Sequence, residues 1–179
     1  MKENSVTARP RKIGILGIGN LLLGDEGFGV HVIRYLEEHY TFPNGVRLLD
    51  GGTAGIYMAP FLEEVDHLIV VDVVAADGPP GSIHIFSGEE LRGAGLQLRM
   101  SPHQLGLLEV LEISRLREQA PERVTFLAVV PETVALGMEL SATMAGQVAA
   151  VAELVVATLA GEGMHARTVA GPGPAATAG

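Results

Sequence analysis

The chain has 179 residues, of which 47% are hydrophobic, a formal net charge of −9 and no cysteine. This length suits one domain with its own core, and the hydrophobic fraction excludes a mainly disordered chain. The acidic balance argues against a nucleic-acid ligand, and the lack of cysteine excludes disulfides, thiolate nucleophiles and cysteine-ligated metals.

Strand and helix patterns alternate along the first half of the chain. Residues 13–18 form a continuous apolar run, which is typical of a buried strand, and residues 27–39 carry apolar side chains at helical spacing. A second short strand is predicted at residues 46–49 and a short helix at residues 56–64. Residues 67–74 are the most β-branched run in the chain, so we expect a central parallel strand there.

The alternation continues in the second half. Residues 82–86 alternate as an edge strand does, which is compatible with an antiparallel direction, and residues 88–100 lack periodicity and predict a surface loop. A helix is expected at residues 101–117, a strand at 124–130 and a closing helix at 141–159. The whole pattern predicts an α/β fold, a three-layer α/β/α sandwich with a mostly parallel sheet of about five strands.

The ends of the chain differ in composition from the middle. We expect a flexible N-terminal tail over residues 1–11, a single domain over 12–160 and a disordered tail rich in Gly, Pro and Ala over 161–179. The apolar stretch 144–160 contains Gln147 and Glu153, so a buried or amphipathic helix is favoured over a membrane span. We expect a cytoplasmic protein that is a monomer, since the surface is acidic and no exposed apolar stripe is evident.

Several polar residues fall where predicted strands end. In open α/β sheets this edge binds ligands, and it should carry Glu26, Asp50, Thr53, Asp72 and Glu132. Asp72 is the most telling of them, because it interrupts an apolar strand in which an ionised carboxylate is costly unless it is paired or bound to a cation. The alternative is an ordinary strand-end aspartate that accepts backbone hydrogen bonds.

His103 lies at a predicted helix start. Ser101, Pro102 and Gln104 fit the N-cap, the first helical position and a capping box. The positive end of the helix dipole would keep His103 neutral and able to bind a metal, although a histidine at this place is more often an ordinary surface residue.

Two acidic residues precede the first predicted helix. Asp25 is expected to be its N-cap, and Glu26 either interacts with the helix dipole or serves a site. Glu26, Asp72 and His103 would together offer two oxygen ligands and one nitrogen ligand to a cation such as nickel or zinc. The residue types and positions alone leave a metal site and purely structural roles about equally supported.

The glycines Gly17 and Gly19 suggest a dinucleotide-binding loop as an alternative. That motif needs a third glycine where this chain has Leu22, and Glu26 would repel a pyrophosphate. Asp50 could serve as the ribose-binding acid, so a dinucleotide-dependent oxidoreductase stays a weaker hypothesis.

Five motifs follow one another within residues 12–160. They are GIGNLLLGDEGFG at 17–29, LDGGTAG at 49–55, DHLIVVD at 66–72, SPHQLG at 101–106 and VVPE at 129–132. In this order they closely resemble the hydrogenase maturation proteases, the endopeptidases that trim the C-terminus of the large subunit of nickel–iron hydrogenases.

The resemblance implies a function and a set of site residues. It implies a metal-dependent endopeptidase in which Glu26, Asp72 and His103 bind nickel and carry out catalysis. The nickel would be supplied by the hydrogenase large-subunit precursor, with no tightly bound organic cofactor and no nucleic-acid or membrane partner. Residues 50–53 (Asp50, Gly51, Gly52 and Thr53) would line the substrate cleft, where glycines let a peptide approach closely, with Glu132 as a further candidate. The alternative within this resemblance is a non-catalytic nickel-sensing or chaperone module for hydrogenase assembly.

Overall fold

A computed structural model describes residues 11–90 and 102–169 of the chain. Its strands, in chain order, are β1 Ile13–Ile18, β2 Tyr40–Thr41, β3 Val46–Gly52, β4 His67–Val73, β5 Ile83–Ser87, β6 Arg123–Val129 and β7 Arg167–Thr168. Five of these described strands form one sheet in the order β3-β1-β4-β6-β5. All neighbours in this sheet are parallel except β5 and β6, which confirms the predicted mostly parallel sheet and its antiparallel edge.

Helices cover both faces of the sheet. They are α1 Phe28–His39, α2 Ala59–Glu63, α3 Pro102–Leu116 and α4 Ala142–Gly161, and 3-10 turns precede α1 at Gly24–Gly27 and α2 at Gly55–Met58. One buried cluster joins α1 and α4 to the sheet, and a second joins α2 and α3 to the opposite face. In β4, Ile69 and Val71 belong to the first cluster and Leu68 and Val70 to the second, as expected for a central strand covered on both faces.

The topology opens a crevice at the carboxyl edge of the sheet. The helix that follows β1 packs on one face, whereas α3, which comes after β4 and β5, packs on the other. The loops leaving the adjacent strands β1 and β4 therefore diverge, which is where α/β proteins of this kind bind ligands. The predicted site residues Glu26 and Asp72 lie on these two strand exits.

Two glycines bring α1 directly onto the sheet. A Cβ atom on Gly29 would lie 2.2 Å from the Val71 carbonyl oxygen and 2.4 Å from that of Ile18. A Cβ on Gly17 would lie 2.2 Å from the Gly29 carbonyl oxygen. Only glycine fits at either position, so the glycine-rich start of the chain serves close helix–sheet packing and holds the start of α1 near the end of β4.

The C-terminal tail begins later than the sequence predicts. Disorder was expected over 161–179, but α4 ends at Gly161 and Arg167–Thr168 pair antiparallel with Tyr40–Thr41. The backbone nitrogen of Val169 also donates to the His39 carbonyl oxygen over 2.8 Å. Residues 161–169 are thus part of the domain, and the prediction was wrong there because a two-residue strand has no recognisable pattern. Residues 1–10 and 170–179, and most of the predicted loop 88–100, lie outside the described residues.

By length and composition, α4 alone among the described helices could cross a membrane. Its buried residues Met144, Val151, Val155 and Leu159 belong instead to the core cluster that includes α1. It therefore packs as a core helix, as its sequence suggested.

Candidate functional site

Asp72 is the last residue but one of β4, and only 1% of its surface is exposed. Its Oδ1 atom accepts a hydrogen bond from the Val73 backbone nitrogen over 2.8 Å. Its Oδ2 atom is buried and has no hydrogen-bond partner among the described residues. Burial raises the pKa of Asp72 well above its usual value, and the nearby charge of Glu26 raises the pKa further, against the lowering effect of hydrogen bonds from Val73 and Gln104.

Glu26 lies in the 3-10 turn that leads from β1 into α1. The turn folds tightly because the Asn20 backbone nitrogen donates to the Glu26 carbonyl oxygen over 3.1 Å. Gly19, at a φ of 143°, is needed beside it, since a Cβ there would lie 1.9 Å from that same oxygen. The short loop therefore fixes the Glu26 backbone and leaves its carboxylate at the crevice.

His103 is the second residue of α3 and reaches the Glu26 side chain from the other face of the sheet. The His103 Nε2 and Glu26 Oε2 atoms are 3.4 Å apart, and both side chains are about nine-tenths buried, with 10% and 11% exposed. Neither atom has a hydrogen-bond partner among the described residues.

The structure thus brings Glu26 and His103 into contact and puts Asp72 within electrostatic reach of Glu26. Each of the three side chains has one buried oxygen or nitrogen atom that lacks a hydrogen-bond partner in the described part of the chain. Burying such atoms is unfavourable unless a proton or a cation satisfies them. Within residues 11–90 and 102–169, however, no three His, Asp and Glu side chains already form a group able to hold a metal ion. The described side chains therefore supply separate ligands and no closed cage.

Gln104 is a site residue whose contact the sequence did not indicate. It is 4% exposed, and its Nε2 atom donates to the Val73 carbonyl oxygen over 2.7 Å. Its side chain also hydrogen-bonds to Asp72. The predicted capping box needs Ser101, which lies outside the described residues. What the structure shows instead is that Gln104 ties the start of α3 to the end of β4, while its neighbour His103 contacts Glu26.

Asp25 was predicted as the N-cap of the first helix, and this prediction was wrong. The helix begins at Phe28, and its cap position, Gly27, makes no side-chain capping bond among the described residues. Asp25 is instead fully buried and accepts hydrogen bonds from the nitrogens of Glu132, Thr133 and Ser141 over 3.0, 2.9 and 2.7 Å. It also accepts a bond from the Ser141 hydroxyl over 3.0 Å, so it joins the β1 exit to both ends of the loop between β6 and α4.

The predicted cleft residues at the end of β3 stand apart from Glu26, Asp72 and His103. Asp50 is exposed, its Oδ1 accepts from the Gly52 nitrogen over 3.1 Å, and its Oδ2 lies 3.8 Å from Arg34. Thr53 is also exposed. These side chains stand on the edge strand β3, next to β1 and one strand removed from Asp72.

The glycines of this segment have structural roles of their own, beside the cleft role predicted for them. A Cβ on Gly51 would lie 2.7 Å from a methyl of Leu16, so any larger residue there would force core side chains to shift. Gly52 has a φ of 46°, a left-handed conformation that glycine adopts readily. Glu132, the remaining cleft candidate, has an exposed side chain and contributes its backbone nitrogen to Asp25.

Known proteins match this chain over most of its length. The family model described as hydrogenase maturation protease matches residues 30–158, a range that includes Asp72 and His103 and starts just after Glu26. The hydrogenase 2 maturation protease of Escherichia coli (strain K12) is 37% identical over 156 residues, which are 87% of this chain and 94% of that protein. The hydrogenase expression/formation protein HupD of Rhodobacter capsulatus is 39% identical over 149 residues, 82% of this chain and 71% of that protein.

Solved structures agree with these matches. The hydrogenase maturating endopeptidase HybD from E. coli superposes with a TM-score of 0.82 at 36% identity, covering 88% of this chain and 97% of that chain. The [NiFe] hydrogenase maturation protease HybD from Thermococcus kodakarensis gives 0.68 at 29% identity, covering 80% and 96%. The five-stranded sheet and its helices are thus those of the HybD structures.

Proposed function

The chain belongs to the hydrogenase maturation protease family, and from this premise we propose that it is an endopeptidase acting on a nickel–iron hydrogenase large-subunit precursor. It removes the C-terminal extension of the precursor after nickel has been inserted. One observation carries the proposal. At the carboxyl edge of the sheet, Glu26, Asp72 and His103 each have a buried atom able to bind a metal that lacks a hydrogen-bond partner among the described residues. Protease activity rests on the family, and the dependence on nickel is the part proposed.

The nickel is part of the substrate in this proposal. Two carboxylate oxygens and one imidazole nitrogen suit a borderline divalent cation. The described side chains do not form a complete ion-binding group on their own. An incomplete set fits an ion that arrives with the precursor and keeps other ligands from it, because Glu26, Asp72 and His103 then need to supply only part of its coordination.

The proposed reaction is hydrolysis of one peptide bond. A water molecule attacks the scissile carbonyl carbon while a carboxylate of the site accepts a proton from that water. The carboxyl group then donates this proton to the amide nitrogen as the carbon–nitrogen bond breaks. The bound nickel polarises the carbonyl or the water as a Lewis acid. Asp72 and Glu26 are both eligible as the base, because each has a buried carboxylate oxygen without a hydrogen-bond partner among the described residues.

The test compares nickel-loaded and nickel-free precursor, with cleavage followed by the mass of the large subunit. We expect the wild-type chain to cut only the loaded form. His103→Ala should lower the rate at least about 100-fold, the usual effect of losing a residue that acts in catalysis. His165→Ala is the matched control, because His165 is exposed and lies in the C-terminal segment. Cleavage of nickel-free precursor, or full activity of His103→Ala, would contradict the role of nickel.

The mass of the precursor and the thermal stability of the chain distinguish the two alternatives from the proposal. A non-catalytic nickel-sensing or chaperone module would bind the loaded precursor and leave its mass unchanged. A dinucleotide-dependent oxidoreductase would gain thermal stability with NAD or FAD and none with the precursor. The fold weakens this second alternative, because Gly17 is in contact with the backbone of α1 and not with an open phosphate cradle.

A further inference from the structure

Four apolar side chains lie exposed at the carboxyl edge of the sheet. Leu22 comes from the loop after β1, and Val134, Leu136 and Met138 come from the loop between β6 and α4. Their exposed fractions are 60%, 52%, 91% and 65%. We call these four residues the apolar lip. Exposed apolar side chains that are grouped, unlike scattered ones, mark sites of interaction.

Backbone hydrogen bonds join the two loops of the lip. The Gly24 nitrogen donates to the Gly137 carbonyl oxygen over 2.7 Å, and the Gly137 nitrogen donates to the Leu22 carbonyl oxygen over 3.1 Å. Asp25 then binds both ends of the second loop, at Glu132 and at Ser141. The lip is therefore held outward by fixed backbone contacts and is not a loose loop that could fold its apolar side chains inward.

The lip is continuous with the candidate site. Asp25, which holds the second loop, is the neighbour of Glu26 in the chain and in the same 3-10 turn. The Gly24 nitrogen, two residues before Glu26, donates to Gly137, so the loop carrying Leu136 lies beside the turn that carries Glu26. Met138 also borders a groove of about 570 Å³ between α1 and α4, which gives room for side chains of such a segment.

The charge around the lip indicates the chemistry of its partner. Glu132 and Glu139, on the same loop, are exposed and make no ion pair with another described side chain. The whole chain carries a formal net charge of −9. A partner that covers the lip favourably therefore combines apolar side chains with lysine or arginine.

We propose that the apolar lip is the docking surface for the segment of the precursor that enters the site, and that this segment is apolar and basic. The proposal rests on the proposed function, since it takes the precursor as substrate. It adds a place on this chain where binding energy is gained away from the nickel ligands, and it assigns that role to Leu136 above all.

The first experiment measures kcat and KM of Leu136→Ser with nickel-loaded precursor. Burying one leucine contributes enough binding energy to change affinity about tenfold or more. We expect KM to rise by that factor while kcat at saturation stays within about twofold of wild type. Leu116→Ser is the matched control, because Leu116 is 85% exposed at the far end of α3. The thermal midpoints of both variants should equal that of wild type.

The second experiment tests the charge of the partner. Replacing Glu132 and Glu139 together by glutamine should raise KM and weaken its dependence on salt concentration, because two attractive charges are lost. Glu109→Gln with Glu118→Gln is the matched control, because both side chains are exposed in or just after α3, which packs on the opposite face of the sheet from the groove. An unchanged KM in the lip double variant would overturn the claim of a basic partner.

The outcomes separate the two proposals. If wild type does not cleave any precursor, the proposed function fails. If wild type cleaves and Leu136→Ser has the same KM as Leu116→Ser, the lip proposal fails and the proposed function stands. Sedimentation of the free chain completes the test, because a dimer that dissociates in Leu136→Ser would make the lip a contact between two copies and would overturn docking of the precursor.

Discussion

Asp72 is a single buried residue whose carboxyl group lowers the stability of the folded chain at neutral pH. One carboxylate oxygen is bound by Val73 and the other has no partner in the described structure, although the residue is buried. Its raised pKa means that the folded chain holds the Asp72 proton more tightly than the unfolded chain does. As the pH rises above the pKa of Asp72 in the unfolded chain, the free energy of unfolding therefore falls. It stops falling once the pH has passed the higher pKa of Asp72 in the folded chain.

Asp72→Asn should accordingly stabilise the protein and inactivate it. The amide keeps an oxygen for the Val73 nitrogen and removes the buried charge, which should raise the free energy of unfolding by about 0.5–2 kcal/mol at neutral pH. Urea denaturation measures this change, and the precursor assay should show no cleavage. Asp77→Asn, at an exposed position after β4, is the control and should alter neither property. A less stable Asp72→Asn chain would contradict the assigned cost of the charge.

Sequence reasoning predicted three site residues that the structure brings near one another, but it misassigned their neighbour Asp25. Glu26, Asp72 and His103 were identified by their places at strand and helix ends, which local patterns reveal. Asp25 has an equally good local pattern for an N-cap, yet its partners lie 107 to 116 residues away in the chain. Local pattern carries no information on such partners, and the contact of Gln104 with Val73 was missed for the same reason.

At the scale of an element, the position of α1 depends on a missing side chain. Gly29 lies against the carbonyl oxygens of Val71 and Ile18, so the helix touches the sheet backbone directly. Only Gly27 separates Glu26 from the first residue of this helix, Phe28. Any outward shift of α1 therefore moves the candidate site as well.

Gly29→Ala should therefore reduce both stability and activity. The added Cβ meets backbone atoms that cannot rotate away, so we expect a loss of about 3 kcal/mol, the upper end for overpacking. Gly146→Ala is the matched control, because Gly146 lies in the second turn of α4 and a Cβ built there would meet no described atom within 4 Å apart from its chain neighbours and the nearby helix backbone. That change should stabilise the helix by about 0.5–1 kcal/mol. Thermal denaturation of both variants gives the comparison, and equal effects would refute the close approach.

Most elements followed from periodicity, and the exceptions have a physical cause. The strand at residues 13–18 was predicted with the observed bounds, and β4 was predicted as the central strand, because apolar and β-branched runs persist wherever both faces are buried. The pair β2 and β7 was missed because two residues per strand are too few to show a period. The pairing that orders residues 167–168 is set by the end of α1, not by their own composition.

At the scale of the whole molecule, the edge opposite the site also contains a buried titratable group. His67 begins β4 and is 1% exposed, its Nδ1 contacts the Glu162 carboxylate, and its Nε2 lies 2.9 Å from the Thr125 hydroxyl. Arg11 and Arg123 pair with Glu162 from outside. Burial lowers the pKa of His67 below 6.5, and Glu162 only partly offsets this effect.

Global stability should consequently fall on the acid side of neutrality. The unfolded chain binds a proton at His67 more readily than the folded chain, so stability present above pH 6.5 is lost as the pH falls toward the folded pKa. The slope from one proton is at most about 1.4 kcal/mol per pH unit. Urea denaturation at about pH 7.5 and about pH 5.5 measures this slope. The Asp72→Asn variant is used for it, because the Asp72 carboxyl group would change stability with pH in the opposite direction. His67→Gln should flatten the pH dependence, and an unchanged slope would exclude His67 as its source.

The apolar lip is also a property of the whole molecule, because two distant loops form it, and no sequence pattern predicts it. The sequence suggested no exposed apolar stripe, because Leu22 and Leu136 are far apart in the chain and each stands in a loop without periodicity. The backbone bonds of Gly137 to Gly24 and Leu22, together with the contacts of Asp25, bring their loops together. The expectation of a monomer, which relied on that suggestion, is therefore a question for the sedimentation experiment.

The contacts of Asp25 also determine when this enzyme can start to work during its own synthesis. Asp25 leaves the ribosome long before Ser141, so for most of translation the turn that carries Glu26 has none of the four hydrogen bonds that Asp25 makes to the later loop. Contacts between such distant parts of a chain form late in folding. A nascent chain that has β1, α1 and even His103 thus lacks the fixed turn that a working site needs. We expect the protein to become competent only when the last helix has begun to emerge.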